Sequence, residues 1–272
     1  MNSAENPTPE ELSGAAALPA SQPPTLAPAW HTALLIGGII ALSVAGSSRF
    51  TAEQQLPGRL ATYAATAGME LLLLGWVLLG LRLRRVSLRS VIGAASLRPR
   101  SIARDLGIAL VFWLISLMVL GSLGFLWTRV QSAITHQPAV HSPFLPGSSE
   151  TKTASKLARI APQTPREVAG WALLCVFVGF VEELVFRGYL QGQFIAWTHG
   201  SNVAGVLFSA ILFGAAHGYQ GLRNMVLLSV FGALFSLLAL YRRGLRPCMF
   251  AHAWQDLFAG IALGILHSRH LV

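Results

Sequence analysis

The chain has 272 residues, of which 53% are hydrophobic and only 11% are charged, and its mean hydropathy is +0.56. Soluble domains carry about 25% charged residues, so this composition excludes a water-soluble globular protein and predicts a surface covered largely by lipid. The net charge of +9 comes mainly from arginines at the ends of apolar segments, where anionic headgroups explain them, so we expect no nucleic-acid partner.

Residues 1–28 form the first segment, which is rich in Pro, Ala, Ser and Thr and almost lacks aromatic residues. Such a segment buries too little apolar surface to offset its ordering entropy, so we predict a disordered tail. The rest, 29–272, is predicted to be one transmembrane domain. No Lys or Arg occurs in the first 48 residues, so the basic start of a signal peptide is missing and the first apolar segment is expected to stay in the mature protein.

Seven apolar segments follow, each near the length of about 20 helical residues that a hydrocarbon core requires. They lie at about 30–47, 60–81, 102–127, 167–188, 202–217, 224–241 and 247–267. A polar stretch at 129–166 is predicted to be an extramembrane loop with an interfacial helix over 151–160. The sequence therefore predicts an all-α, polytopic transmembrane helix bundle of about seven to eight spans.

Positive charge is densest in two of the predicted loops. Seven arginines lie between positions 82 and 104, and three more lie at 242, 243 and 246. Alternating spans place both groups on one side, so the positive-inside rule predicts that this side and the N-terminus are cytoplasmic in a multi-pass protein of the cell membrane. The 129–166 loop carries five basic residues on the other side.

The fourth apolar segment contains Glu182, Glu183 and Arg187, although a charged residue at membrane depth costs at least ~2.5 kcal/mol. Glu183 and Arg187 are four residues apart on one helical face, which suits a structural ion pair. Glu182 is rotated about 100° around the helix from Glu183, so we expect that the two glutamates share no partner and that one of them faces a cavity. Glu182 is the acid assigned to the cavity, and the two glutamates can also exchange these roles.

Two later segments also carry ionisable residues. The fifth ends in Phe213-Gly-Ala-Ala-His217, where small residues allow neighbouring helices to approach closely. The seventh contains His252-Ala-Trp-Gln-Asp256, which places a histidine and a carboxylate on one helical face. A glutamate beside a histidine in a low-dielectric cavity can activate water for peptide hydrolysis, and the second His and the Asp can support the tetrahedral intermediate.

A metal site is the alternative use of these side chains. Glu182, His217, His252 and Asp256 include enough nitrogen and oxygen ligands for a divalent metal such as zinc, with one position left open for water. No single segment carries the His-Glu-x-x-His pattern, so a zincin-type site is not indicated.

Together, the three motifs resemble those of the CPBP family, which includes the Ras-converting CAAX endopeptidase and bacterial proteins linked to bacteriocin self-immunity. The motifs are Glu182-Glu183-Leu-Val-Phe-Arg187, Phe213-x-x-x-His217 and His252-x-x-x-Asp256, in that order on successive apolar segments. The resemblance implies an intramembrane endopeptidase acting on membrane-associated proteins, prenylated CAAX-type proteins among them. It also implies that Glu182 and His217 activate water and that His252 and Asp256 stabilise the oxyanion.

The resemblance leaves the catalytic type open, because the family is described both as glutamate-dependent and as metalloproteases. Asp256 stands where the prenyl-protein enzymes have Asn, although Asp also occurs among bacterial members. An ionised Asp cannot donate a hydrogen bond to an oxyanion, so Asp256 would have to be protonated, orient His252 or bind a metal.

Two functions of other classes remain alternatives. A proton-coupled transporter also buries Glu, His and Arg, but it is expected to have internal repeats or paired broken helices, which this sequence does not show. A non-catalytic scaffold or bacteriocin self-immunity protein would keep the fold and lose a catalytic group, whereas every motif position is filled here. We expect the site to lie between the fourth, fifth and seventh segments and to open toward the cytoplasmic side. The histidines at 31, 136, 141, 199, 267 and 270 are expected to be solvated.

Overall fold

The computed structural model describes residues 23–51, 58–93, 96–136 and 157–269, all of whose regular elements are helices. In chain order these are α1 (Ala29–Thr51), α2 (Arg59–Leu83), α3 (Leu88–Ile92), α4 (Pro99–Thr135), α5 (Pro165–Glu183), a π-helix (Leu184–Leu190), α6 (Gln191–Trp197), α7 (Asn202–Ala216), a 3₁₀-helix (Gly218–Gln220), α8 (Leu222–Arg242) and α9 (Arg246–Ser268). The predicted all-α bundle is confirmed.

Six helical stretches are long and apolar enough to cross a membrane, and they make the chain a multi-pass integral membrane protein. They are α1, α2, α4, α8, α9 and the continuous helical rod from α5 through α6. The fifth predicted span differs from these, because α7 has only 15 residues. At 1.5 Å per residue α7 is about 22 Å long, which is shorter than a hydrocarbon core of about 30 Å. His217, which follows α7 directly, therefore falls at membrane depth.

Some predicted boundaries move in the structure. α4 continues to Thr135, so the first seven residues of the predicted 129–166 loop are helical. Residues 137–156 lie outside the described part of the chain, and so do 1–22 of the predicted tail. Of the interfacial helix predicted at 151–160, only two described residues, at 157 and 158, are helical. α5 begins at Pro165 because Thr164 and Glu167 form a reciprocal capping box.

The packed region begins before the predicted boundary at residue 28. The side-chain oxygen of Gln193 accepts from the backbone N–H of Ala27 at 3.2 Å, and its nitrogen donates to the carbonyl of Ala27 at 2.9 Å. The expectation that His31 is solvated is wrong, because its ring is fully buried, stacked on Trp76 at 4.6 Å and 2.9 Å from the hydroxyl of Tyr189. Of the other five histidines in that group, 136 and 199 are exposed, 267 is half-buried, and 141 and 270 are outside the described residues.

The two arginine-rich loops meet at one end of the bundle, which we call the basic end and define by residues 82–104 and 242–246. Asp105 joins them, because its carboxylate accepts hydrogen bonds from Arg242 at 3.1 Å and from Arg246 at 2.7 Å. α1 begins beside the C-terminal part of α2, so the first described residues lie at the same end. The face of the membrane that this end occupies stays a prediction from the arginines.

Candidate active site

The charged residues of the fourth span lie where α5 passes into the π-helix. The predicted ion pair is present: the Glu183 Oε1 and Arg187 Nη1 atoms are 3.2 Å apart, and both side chains are fully buried. The guanidinium group also lies 4.2 Å from the centre of the Phe213 ring and 5.2 Å from that of Phe235. Cation–π contacts of this kind reduce the cost of burying the charge. They give the aromatic residue of the second motif a structural role.

His252 contacts both glutamates of the first motif. Its Nδ1 atom donates to Glu183 Oε1 at 2.7 Å, while Nε2 lies 3.6 Å from Glu182 Oε2 and 3.6 Å from Asp256 Oδ2. The two longer distances are electrostatic contacts rather than hydrogen bonds. The expectation that the two glutamates share no partner is therefore wrong. An imidazole carries its two nitrogens on different edges, so one ring reaches two carboxylates that point in different directions.

His217 is oriented by the end of its own helix. Its Nδ1 atom lies 2.8 Å from the carbonyl oxygen of Phe213, which can only accept, so Nδ1 carries a proton and Nε2 of the neutral ring is an acceptor. The hydroxyl of Ser43 in α1 donates to the carbonyl of Ala215 at 2.7 Å and supports the same turn. A side-chain methyl at Gly214 would overlap α8, so this glycine permits the close approach of α7 and α8 that the small residues predicted.

One cavity of about 380 Å³ brings the predicted residues together. Glu182, His217, His252 and Asp256 all line it, whereas Glu183 and Arg187 are not part of its wall. The two glutamates thus differ in position: Glu183 lies behind His252, and the side chain of Glu182 retains 16% exposure on the cavity side. The cavity is also lined by Thr62, Tyr63, Thr66, Glu70, Leu120, Leu157, Ile160, Ala161, Trp171, Leu174, Cys175, Val178, Phe213, Tyr219, Gln220, Leu228, Phe231, Gln255, Ala259, Gly260 and Leu263.

The cavity leads away from the basic end. From His252 its wall continues to Tyr63, near the start of α2, and to Ile160, just before α5, both at the opposite end of the bundle. The expected opening toward the arginine-rich side is therefore wrong. The basic end is closed because α3 and the 242–246 loop pack on the π-helix. In this contact Val91 and Leu245 lie against Gly188.

Glu70 of α2 belongs to the site but lies outside the three sequence motifs. This carboxyl group is buried at 7% exposure and lines the same cavity as Glu182, His252 and Asp256. Its Oε2 atom accepts no hydrogen bond from any residue within the described ranges. The signal was available in the sequence, because Glu70 is the one acidic residue of the apolar helix Arg59–Leu83.

The predicted metal ligands do not form a ligand set. Among the residues that the structure describes, no three His, Cys, Asp or Glu side chains are arranged to hold a metal ion. The zinc alternative therefore finds no support in the positions of Glu182, His217, His252 and Asp256, and no step proposed below passes through a metal.

Comparison with known families identifies one segment of the chain. Residues 164–258 match the model of the family described as type II CAAX prenyl endopeptidase Rce1-like. No curated protein and no solved structure matches the chain. The matched segment covers about a third of the sequence, runs from the cap of α5 into α9 and contains all three motifs, in agreement with the CPBP resemblance of those motifs. α1, α2 and α4 lie outside it.

Proposed function

We propose, from the similarity of residues 164–258 to Rce1-like CAAX prenyl endopeptidases, that this chain is an intramembrane endopeptidase. Its substrates are membrane-associated proteins or peptides, and the family description makes prenylated CAAX-type C-termini the first class to test. The observation that carries the proposal is the single cavity within an apolar bundle that Glu182, His217 and His252 all line. Polar groups from three separate elements are costly at that depth and are seldom found together without a function.

Glu182 is proposed as the general base. Its Oε2 atom accepts no hydrogen bond from the described groups, so it can bind a water molecule in the cavity. Glu183 is the weaker choice, because its carboxylate already contacts Arg187 and His252 and lies behind the cavity wall. The geometry thus supports Glu182 as the base and Glu183 as the structural acid.

His217 supplies a second acceptor for the same water molecule. With Nδ1 donating to the backbone, Nε2 can accept a hydrogen bond from one O–H of the water while Glu182 accepts a hydrogen bond from the other. In the proposed reaction, Glu182 takes a proton as the water oxygen attacks the peptide carbonyl carbon. The C–N bond then breaks, and the leaving amine receives that proton from Glu182.

His252 is proposed to stabilise the negative charge that develops on the carbonyl oxygen. The hydrogen bond from its Nδ1 to Glu183 fixes the orientation of the ring, as the acid does in Ser-His-Asp triads. Its Nε2 then faces the cavity between Glu182 and Asp256, where a protonated ring can donate to the oxyanion.

The test is a proteolysis assay on the full chain in detergent or nanodiscs, with fluorogenic peptides that end in a CAAX sequence, farnesylated or not. Glu182→Gln keeps the size of the side chain and removes the base, so kcat/KM is expected to fall by about 10²–10⁴. Thermal unfolding should be unchanged, because Glu182 makes no hydrogen bond to a described residue. Glu167→Gln is the matched control, since it makes the same change on the same helix outside the cavity.

Three results would each contradict a different part of the proposal. If the folded parent cleaves neither kind of peptide, the proposed protease activity is contradicted and the non-catalytic scaffold is favoured. If the parent is active and Glu182→Gln cleaves at the parental rate, Glu182 is not the general base, and Glu183 becomes the candidate. Cleavage of farnesylated and non-farnesylated peptides at equal rates would contradict the prenylated substrate class alone.

A further inference from the structure

Glu70 belongs to the cavity but not to the family-matched segment, and the roles proposed above do not use it. It lies near the middle of α2, on the face that also directs Tyr63 and Thr66 into the cavity. The next residues along the helix, Leu71 and Leu72, are 58% and 71% exposed and form the lipid-facing side. The carboxyl group of Glu70 therefore points into the protein, toward the proposed reaction centre.

The surroundings of Glu70 favour its neutral form. Glu182 and Asp256, which line the same cavity, are carboxylates, and the imidazole of His252 already lies against Glu183, Glu182 and Asp256. Nothing within the described ranges donates a hydrogen bond to its Oε2 atom. Because burying an ionised carboxylate without a counter-charge is very costly, the state inferred for Glu70 is the protonated carboxylic acid.

A neutral carboxyl group adds a hydrogen-bond donor to the ionisable groups of the cavity wall, most of which accept. Glu182 and Asp256 accept hydrogen bonds when ionised, and the cavity-facing nitrogen of neutral His217 accepts as well. An oxyanion requires donors instead, and a carboxylic acid kept neutral by its site is an effective one. His252 can provide one donor, and the protonated Glu70 can provide another.

We propose that Glu70 contacts the substrate and donates a hydrogen bond to the carbonyl oxygen of the scissile peptide bond. The inference rests on the proposed endopeptidase function and adds to that site a residue from outside the matched segment. Glu70 acts only as a donor in this assignment, and the proton taken from water still travels through Glu182.

Two substitutions separate a hydrogen-bond donor from other roles. Glu70→Met removes the donor at similar volume, and kcat is expected to fall by about 10²–10³ with little change in KM. Glu70→Gln keeps an N–H donor and should retain kcat within about threefold. Ser116→Ala is the control, because Ser116 is a buried polar residue of α4 outside the cavity wall. Its rate should equal that of the parent.

Two outcomes would overturn the inference while leaving the endopeptidase intact, and a third would contradict both. A parental rate in Glu70→Met would exclude a role in the reaction. A loss in Glu70→Gln as large as that in Glu70→Met would exclude hydrogen-bond donation as the role. A parent that cleaves no peptide contradicts the proposed function itself, and the donor assignment falls with it.

Infrared difference spectroscopy tests the proton on Glu70 without any substrate. The spectrum of the parent minus that of Glu70→Gln at neutral pH should contain the carbonyl stretch of one protonated carboxylic acid. Carboxylate bands in its place would overturn the assignment, because an ionised Glu70 cannot donate. This measurement separates a wrong assignment of Glu70 from a wrong proposal for the whole site.

Discussion

Within the described residues, two buried clusters bring carboxylates into contact with arginine, and they differ in their position relative to the cavity. At the basic end, Asp105 has both oxygens bonded, one to Arg242 and one to Arg246, and Arg246 also donates to the backbone of Ser96. In the membrane interior, Glu183 meets Arg187 and His252 through Oε1 behind the cavity wall and leaves Oε2 without a described hydrogen bond, as do two neighbouring acids. These are Glu182 and Glu70, and both line the cavity.

The difference separates structural from functional charge. A carboxylate that holds helices together contacts a positively charged side chain, because an unpaired charge in the interior reduces stability. A carboxylate that must bind water or substrate has to keep an oxygen available. Asp105 and Glu183 contact arginines outside the cavity wall, as structural acids do, whereas Glu182 and Glu70 line the cavity and are the acids proposed to act in the reaction.

The largest effect is expected from breaking the enclosed pair in the interior. Arg187→Met leaves Glu183 buried with His252 as its remaining described partner, which should reduce the free energy of unfolding by about 3–5 kcal/mol. Equilibrium unfolding in detergent measures this loss. The double variant Glu183→Gln, Arg187→Met removes both charges and should recover much of the stability. A loss of unfolding free energy below about 1 kcal/mol in Arg187→Met would contradict the structural role of the pair.

A smaller effect is expected from the cluster at the basic end. Asp105→Asn weakens the hydrogen bonds to Arg242 and Arg246 and should reduce the free energy of unfolding by about 1.5–3 kcal/mol. Peptide cleavage at a temperature where the variant is folded should match the parent, because Asp105 is not part of the cavity wall. Arg104→Gln is the control: Arg104 is largely exposed and 3.8 Å from Asp105, so its removal should change stability by less than about 1 kcal/mol. If folded Asp105→Asn cleaved peptide more slowly than the parent, the cluster at the basic end would not be purely structural.

The parts of this architecture that sequence could predict depend on local rules. Span positions follow from apolar length, and the Glu183–Arg187 pair follows from four-residue spacing on one helix. The direction of the cavity depends instead on α3 packing against the π-helix, a contact between segments about 100 residues apart that no periodicity encodes. Two glutamates share His252 because the imidazole of another helix lies between them. The angle of about 100° between successive residues on α5 does not predict where that imidazole lies. Glu70 was predictable by the rule applied to Glu182, but it lies outside the three motifs.

Asp256 is the intermediate case between the two kinds of carboxylate. Its side chain is 34% exposed in the cavity, and its described partner, His252 Nε2, is 3.6 Å away, too far for a hydrogen bond. Since the related prenyl-protein enzymes have Asn at this motif position, Asp256→Asn replaces a weak charge contact with an amide that can itself donate to an oxyanion.

The smallest effect is therefore expected from Asp256→Asn. Because no hydrogen bond to a described residue is lost, the free energy of unfolding should change by less than about 0.5 kcal/mol. For the same reason kcat/KM should stay within about tenfold of the parent, or rise if the amide stabilises the oxyanion. Asp256→Leu, which removes both the charge and the donor, is the control and should lose more activity than Asp256→Asn. If Asp256→Asn instead abolished cleavage without unfolding, the ionised form would be required in the reaction. Asp256 would then join Glu182 among the acids whose charge the chemistry uses.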